Sequence, residues 1–282
     1  MELLDLLLEP WRSGLERRAL IEVVLLGLAC GPLGFWVITY GLSYPAESLG
    51  HGLLPGLVIA ALAGAPLLLG AAGGVAVGAA AVALAAHDER IGPDTATAVV
   101  VTGLFGAGTL IALSPDAPAR LEELLFGDPL GVSDADLVAA AALATLGTLA
   151  LAALHRPLCA VALDGPGATA LGVAPARVRA GLLALLAAAL AVAVQGLGSL
   201  LVLALIVGPA LAVRRHARAP TRAMLAGGAV AALAGVAGLY ASHHLGSAAG
   251  ASVALTLCVA ALAGAALPVR RAAAARARPG GG

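Results

Sequence analysis

No lysine occurs among the 282 residues; the sixteen basic side chains are all arginine. A Walker A phosphate loop needs Gly-Lys-Ser/Thr, so the chain has none and any ATP hydrolysis belongs to another polypeptide. Aromatics make up only 3% of residues, so there is no clear Trp/Tyr belt of the kind that marks many membrane boundaries. Charged residues are also scarce, at 11%, and the formal net charge is zero, so no nucleic acid or other acidic partner is implied. Only three cysteines are present: Cys30, Cys159 and Cys258. Each stands alone in or beside an apolar run, a spacing that makes neither a disulfide framework nor a zinc knuckle. The start, Met1-Glu2-Leu3-Leu4-Asp5, is acidic where a cleavable signal peptide would be basic.

What is abundant is apolar surface. Hydrophobic residues reach 61% and the mean hydropathy is +1.00. Ala, Leu, Val and Gly runs alternate with short polar breaks. This predicts an all-α, polytopic transmembrane helical bundle in the cell (inner or plasma) membrane. The 37 glycines suit close helix–helix packing in lipid.

Apolar segments fall near 19–40, 51–67, 69–86, 95–113, 135–155, 178–194, 198–214, 221–241 and 249–268. At about twenty residues per crossing they predict about eight to nine spans. Residues 1–18 are expected to form an interfacial segment, 19–268 the membrane domain, and 269–282 a disordered cytoplasmic tail. With nine spans, Arg90, Arg156, Arg177, Arg179, Arg214, Arg215, Arg218, Arg222 and the tail arginines share one side, the cytoplasmic one. The N-terminus then lies outside despite Arg12, Arg17 and Arg18; an eight-span count would bring it inside.

Four places carry polar groups worth weighing. Glu47 and His51 stand four apart, on one face of a helix, between Pro45 and Pro55. Carboxylate plus imidazole suits zinc, manganese or ferrous iron, and ionisable groups at a membrane boundary are costly unless used. An ordinary helix N-terminal turn explains the pair equally well. Residues 158–178 form a Gly/Pro-bounded loop in which Asp164 is placed to cap a short helix ending at Gly172. Such a helix docks a soluble partner, or is an interfacial loop and no more. Glu122 and Glu123, in the expected outer loop, would attract cations to an uptake mouth or simply be solvated. His243 and His244 are adjacent, so on a helix they point apart and do not chelate together. Gly208-Pro209 predicts a kink.

Six motifs in order then give a resemblance. They are Ser43, Glu47, His51, Pro55 and Gly56 at four-residue steps; Pro93-Asp94-Thr95-Ala96; Leu125-Phe126-Gly127-Asp128-Pro129-Leu130; Leu163-Asp164 with Ala170-Leu171-Gly172-Val173; Gly198-Ser199-Leu200-Leu201-Val202 through Pro209-Ala210-Leu211-Ala212; and Gly238-Leu239-Tyr240-Ala241-Ser242 with Ala249-Gly250-Ala251. The chain resembles the permease subunit of ATP-binding-cassette importers of zinc, manganese and iron. The resemblance implies a homodimeric pore in the lipid bilayer and a separate ATPase docked on each loop 158–178, through Asp164, Gly165, Gly172 and Val173. It also implies a solute-binding protein outside and intramembrane metal contacts at Glu47 and His51. In two places the chain departs from the family's usual residues, with Glu47 where Asp is common and Arg120 where Asp is frequent. The expected function is the non-enzymatic transport subunit of an ATP-driven importer, with zinc first and manganese or iron next. No cofactor is held permanently, since the metal is cargo. The alternatives are an ion-coupled secondary transporter and a non-transporting scaffold.

Overall fold

The computed structural model describes residues 11, 13–85, 93–114 and 130–268, apart from the side chains of 83, 93, 94, 195, 199 and 200. Every regular element among these residues is a helix. In chain order they are α1 (Gly14–Thr39), α2 (Ser43–Gly52), α3 (Leu54–Leu62), α4 (Leu67–Ala85), α5 (Pro93–Ala112), α6 (Asp134–Leu163), α7 (Gly165–Ala170), α8 (Pro175–Arg214), α9 (Pro220–Leu245) and α10 (Ala249–Ala266).

Polar contacts order the two ends of the bundle. At one end Arg18 at the start of α1 pairs with Asp134 at the start of α6, at 2.8 Å. Glu16 meets His243 near the end of α9, at 2.5 Å. At the other end the Tyr40 hydroxyl donates to the Leu158 carbonyl at 2.9 Å, and His216 contacts the Gly264 carbonyl at 2.7 Å. Burial, and then the neighbouring Cys159, pushes the Tyr40 phenol up, so it keeps the proton it donates. The end of α1, the end of α6, α7 and both ends of α8 therefore lie together. Thr39 and Tyr40 share a cavity with Pro175 and Arg179, while Thr221, a few residues beyond the end of α8, lies 3.3 Å from His155 of α6.

For both ends of α8 to meet, α8 must turn back within itself. It does so at Gly198, whose φ of 74° and ψ of 159° leave helical geometry. Only glycine takes this conformation readily. The backbone stays helical through Pro209, so no break falls at the expected kink; the break lies at Gly198, in the turn between the apolar segments 178–194 and 198–214. Proline removes one hydrogen bond from a helix, whereas Gly198 reverses the chain.

The core gathers on α1 and α8. Leu20, Leu26, Leu33 and Trp36 of α1 and Leu182, Leu186, Leu190 and Leu197 of α8 are fully buried. Close approach comes from small residues: a Cβ at Gly31 would meet Gly227 C and Gly228 N of α9 at 2.6 Å. Backbones that close exchange dispersion contacts which large side chains would block.

Six described helices, α1, α6, α9, α10 and parts of α5 and α8, are long and apolar enough to cross a membrane; 67–82 and 201–214 are shorter apolar helices. The expected eight to nine spans are not reached on that measure. The expected span 51–67 is divided, because α2 ends at Gly52 and Pro55 sits at the start of α3. The tight Gly-bounded reversals leave the neighbouring runs short.

Candidate metal site

Glu47 and His51 both lie on α2. Gly41, at φ 67°, ends the turn after α1, and Leu42 N–H donates to the Val37 carbonyl at 2.8 Å. α2 then starts at Ser43 and takes Pro45 in its first turn, where the missing N–H costs nothing. Leu53 joins it to α3, so the pair rides on a ten-residue helix. That helix packs on α4, α5 and α8.

The two side chains have different surroundings. Glu47 is exposed, and His51 is half-buried. The His51 ring sits edge-on to Phe105 of α5, with centroids 5.3 Å apart and planes at 76°. Its Nδ1 is buried without a hydrogen-bond partner. A buried imidazole nitrogen left unpaired is costly in a folded interior. Ser48, between them, is buried and lines an apolar cavity of about 500 Å³ with Pro45, Gly52, Gly78, Val101 and Arg179. Neither Glu47 nor His51 lines it.

Among the described residues no three of His, Cys, Asp and Glu gather as a metal-ion group. Glu47 and His51 are of the residue types that hold first-row metals, and no third such residue stands with them. Glu122 and Glu123, expected at the outer mouth, lie outside the described residues, as does Arg120.

The 158–178 region is more helical than a loop. α6 continues through Pro157 to Leu163, and Asp164 accepts the Gly167 N–H at 3.0 Å, capping α7. Gly165 opens α7 beside Pro166. Gly172, at φ 83°, turns the chain out of α7, and Val173 N–H closes the turn on the Ala168 carbonyl at 3.0 Å. Leu163 and Leu171, flanking α7, are 88% and 82% exposed.

Sequence reasoning passed over two groups. Glu16 joins His243 across α1 and α9 beside a cavity of about 240 Å³. Their partnership joins residues far apart in sequence and leaves no local spacing to read. His244 stacks edge-on to His243 at 5.0 Å. The second group is Glu22, 1% exposed in α1. Its signal was in plain view, since it is a carboxylate inside the apolar run 19–40.

A model of the ABC 3 transport family matches residues 14–267. Among curated proteins, the chain is 27% identical over 251 residues to the "Probable iron transport system membrane protein" of Haemophilus influenzae, covering 89% of this chain and 93% of that protein. It is 30% identical over 241 residues to "Manganese transport system membrane protein MntC" of Halalkalibacterium halodurans, covering 85% and 82% respectively. Among solved structures, PsaBC from Streptococcus pneumoniae in complex with Fab superposes with a TM-score of 0.86 at 22% identity, over 93% of this chain and 95% of that one. At that identity the likeness speaks for the fold.

Proposed function

The chain belongs to the ABC 3 transport family, and from that premise we propose that it is the membrane permease of an ATP-driven importer of a divalent transition metal. The observation that carries the reading is the Glu47–His51 pair on α2, with His51 Nδ1 buried and unpartnered. Carboxylate and imidazole together suit first-row divalent metals. Each protomer contributes one such set, and the metal binds there in passing. Water, outer-loop acids or a second copy of the chain complete the shell. The site must hold metal weakly, or face only one side at a time, because tight binding would block release.

The names of the relatives bear on the cargo. They speak of iron and manganese, so those metals go ahead of zinc as cargo, although the donor pair alone favours zinc in the usual affinity series. A solute-binding protein delivers the metal outside, and two copies of the chain form the pore. ATP is hydrolysed by a separate ATPase on each protomer, docked against α7 with Leu163 and Leu171 under it. The capped, rigid geometry of α7 and its exposed leucines support that assignment.

Purification of the chain with its associated proteins tests the reading. An ATPase is expected to co-purify with the wild type. Gly172→Trp is expected to lose it or uncouple its activity from uptake, because φ 83° admits no large side chain without strain. Metal uptake by the chain with no ATPase present, driven by a proton or sodium gradient, sinks the reading in favour of a secondary transporter.

A further inference from the structure

Glu22 has no part in the metal reading. It lies eight residues into α1, roughly 12 Å along the axis at about 1.5 Å per residue. The side chain is 1% exposed, and Oε2 is buried with no hydrogen-bond partner. The carboxylate rests against Gly196 of α8, where a Cβ would fall 2.6 Å from Oε2 and 2.7 Å from Cδ. Only a glycine leaves room for it. Two residues further on, Gly198 reverses the chain. Glu22 is therefore seated at the break in the most central helix of the bundle.

No cation faces it among the described residues. On α1, Arg18 is one turn outward and gives its guanidinium to Asp134, and Glu16 is held by His243. α6 presents Asp136, whose charge acts on Glu22 and is also negative. α9 presents Gly235 and, further out, His243 on Glu16. α8 has no titratable residue between Arg179 and Arg214. α2 follows the opposite end of α1. An ionised carboxylate without counter-charge or full hydrogen bonding does not persist in a membrane interior, whereas the neutral acid does.

We propose that Glu22 is a proton-binding site that holds its proton while the Gly198 reversal packs over it and gives it up when the two legs of α8 move off and water arrives. The O–H bond of the carboxyl breaks and one forms on water, and nothing is oxidised or reduced. By linkage, protons favour the packed arrangement, and a rise in pH favours the one in which Glu22 is wet. The ATP-driven cycle would then sense pH at a residue separate from the metal donors.

Infrared spectroscopy of the purified full chain in lipid tests this without transport, so the test stands apart from the metal reading. At about pH 6 exposed Asp and Glu are ionised. A protonated-carboxyl C=O band is expected in the wild type, absent in Glu22→Gln and shifted in Glu22→Asp. In the assembly with its ATPase and binding protein, wild-type uptake is expected to change by up to about tenfold per pH unit over the titration of one group, and that of Glu22→Gln by less than about twofold. A wild type without the band overturns the proposal with no variant needed. A band retained in Glu22→Gln, or an unchanged pH profile in that variant, also overturns it.

Discussion

Taking one donor from a two-donor site should be severe. Even a partner behind a metal ligand costs about 10–100-fold in affinity when removed, so Glu47→Gln and His51→Ala are each expected to lower metal uptake by more than about tenfold. Glu47 is exposed, so its amide variant should fold normally, within about 0.5 kcal/mol. His51→Ala gives up the ring contact with Phe105, about 0.5–1.5 kcal/mol, which a membrane-level assay of folded protein must show is tolerated. Uptake of radiolabelled metal at the wild-type rate in both variants removes the pair from the pathway. That Glu47 and His51 share one helix was legible in the sequence because their spacing is local. Four residues on a helix is a geometry the chain carries in itself, and α2 needs only Ser43–Gly52 to present it. Glu22 was equally visible as a residue but not as a site, because what makes it unusual is Gly196 across the bundle. The Glu16–His243 contact joins positions 227 apart and had no sequence signal at all.

At the scale of elements, glycine decides which helices touch. In α1, Gly27, Gly31 and Gly34 present bare backbone to α9 and α8: a Cβ at Gly27 would stand 2.7 Å from Ala232 N, and one at Gly34 would run into the Ile206 carbonyl. Gly31→Leu is therefore expected to pry α1 from α9 and destabilise the chain by about 1–3 kcal/mol or more, read as a lower thermal midpoint in detergent. Gly14→Leu is the control, since nothing lies within 4 Å of a Cβ there. Equal midpoints for the two variants would mean the α1–α9 crossing is not held by close backbone contact. The helical class and the rough position of each apolar run could be read from composition and spacing, because length and hydropathy are set locally. The break near Gly198 was legible as the Gly-rich turn between the apolar segments 178–194 and 198–214; what spacing alone did not show is that it takes a single glycine to make it. What settles the reversal is that α8 starts and ends at the same end of the bundle. The same limit explains the loop 158–178. Its cap and its terminating glycine were visible one by one, but the continuation of α6 through Pro157 depends on packing against α1 and α8.

At the scale of the whole molecule, the metal bound and the metal carried need not be the same. The proposed site offers one imidazole and one carboxylate, with no thiolate beside them: Cys30 is buried in α1, and Cys159 and Cys258 lie on α6 and α10. In an unconstrained site of that kind, affinity rises from manganese through iron to zinc. On the proposed reading, uptake passes first through a delivering protein outside the membrane, and that step can reverse the order. Two measurements on one preparation are therefore expected to disagree. Zinc should displace manganese from the purified permease by at least about tenfold, equivalent to about 1.4 kcal/mol. In the complete assembly, manganese and iron should compete for uptake of radiolabelled manganese better than zinc does. Zinc leading in both would make it the cargo and move selectivity into the permease itself. Calcium leading in either would sink the imidazole–carboxylate site, because a hard cation of six to eight oxygen ligands has no use for His51.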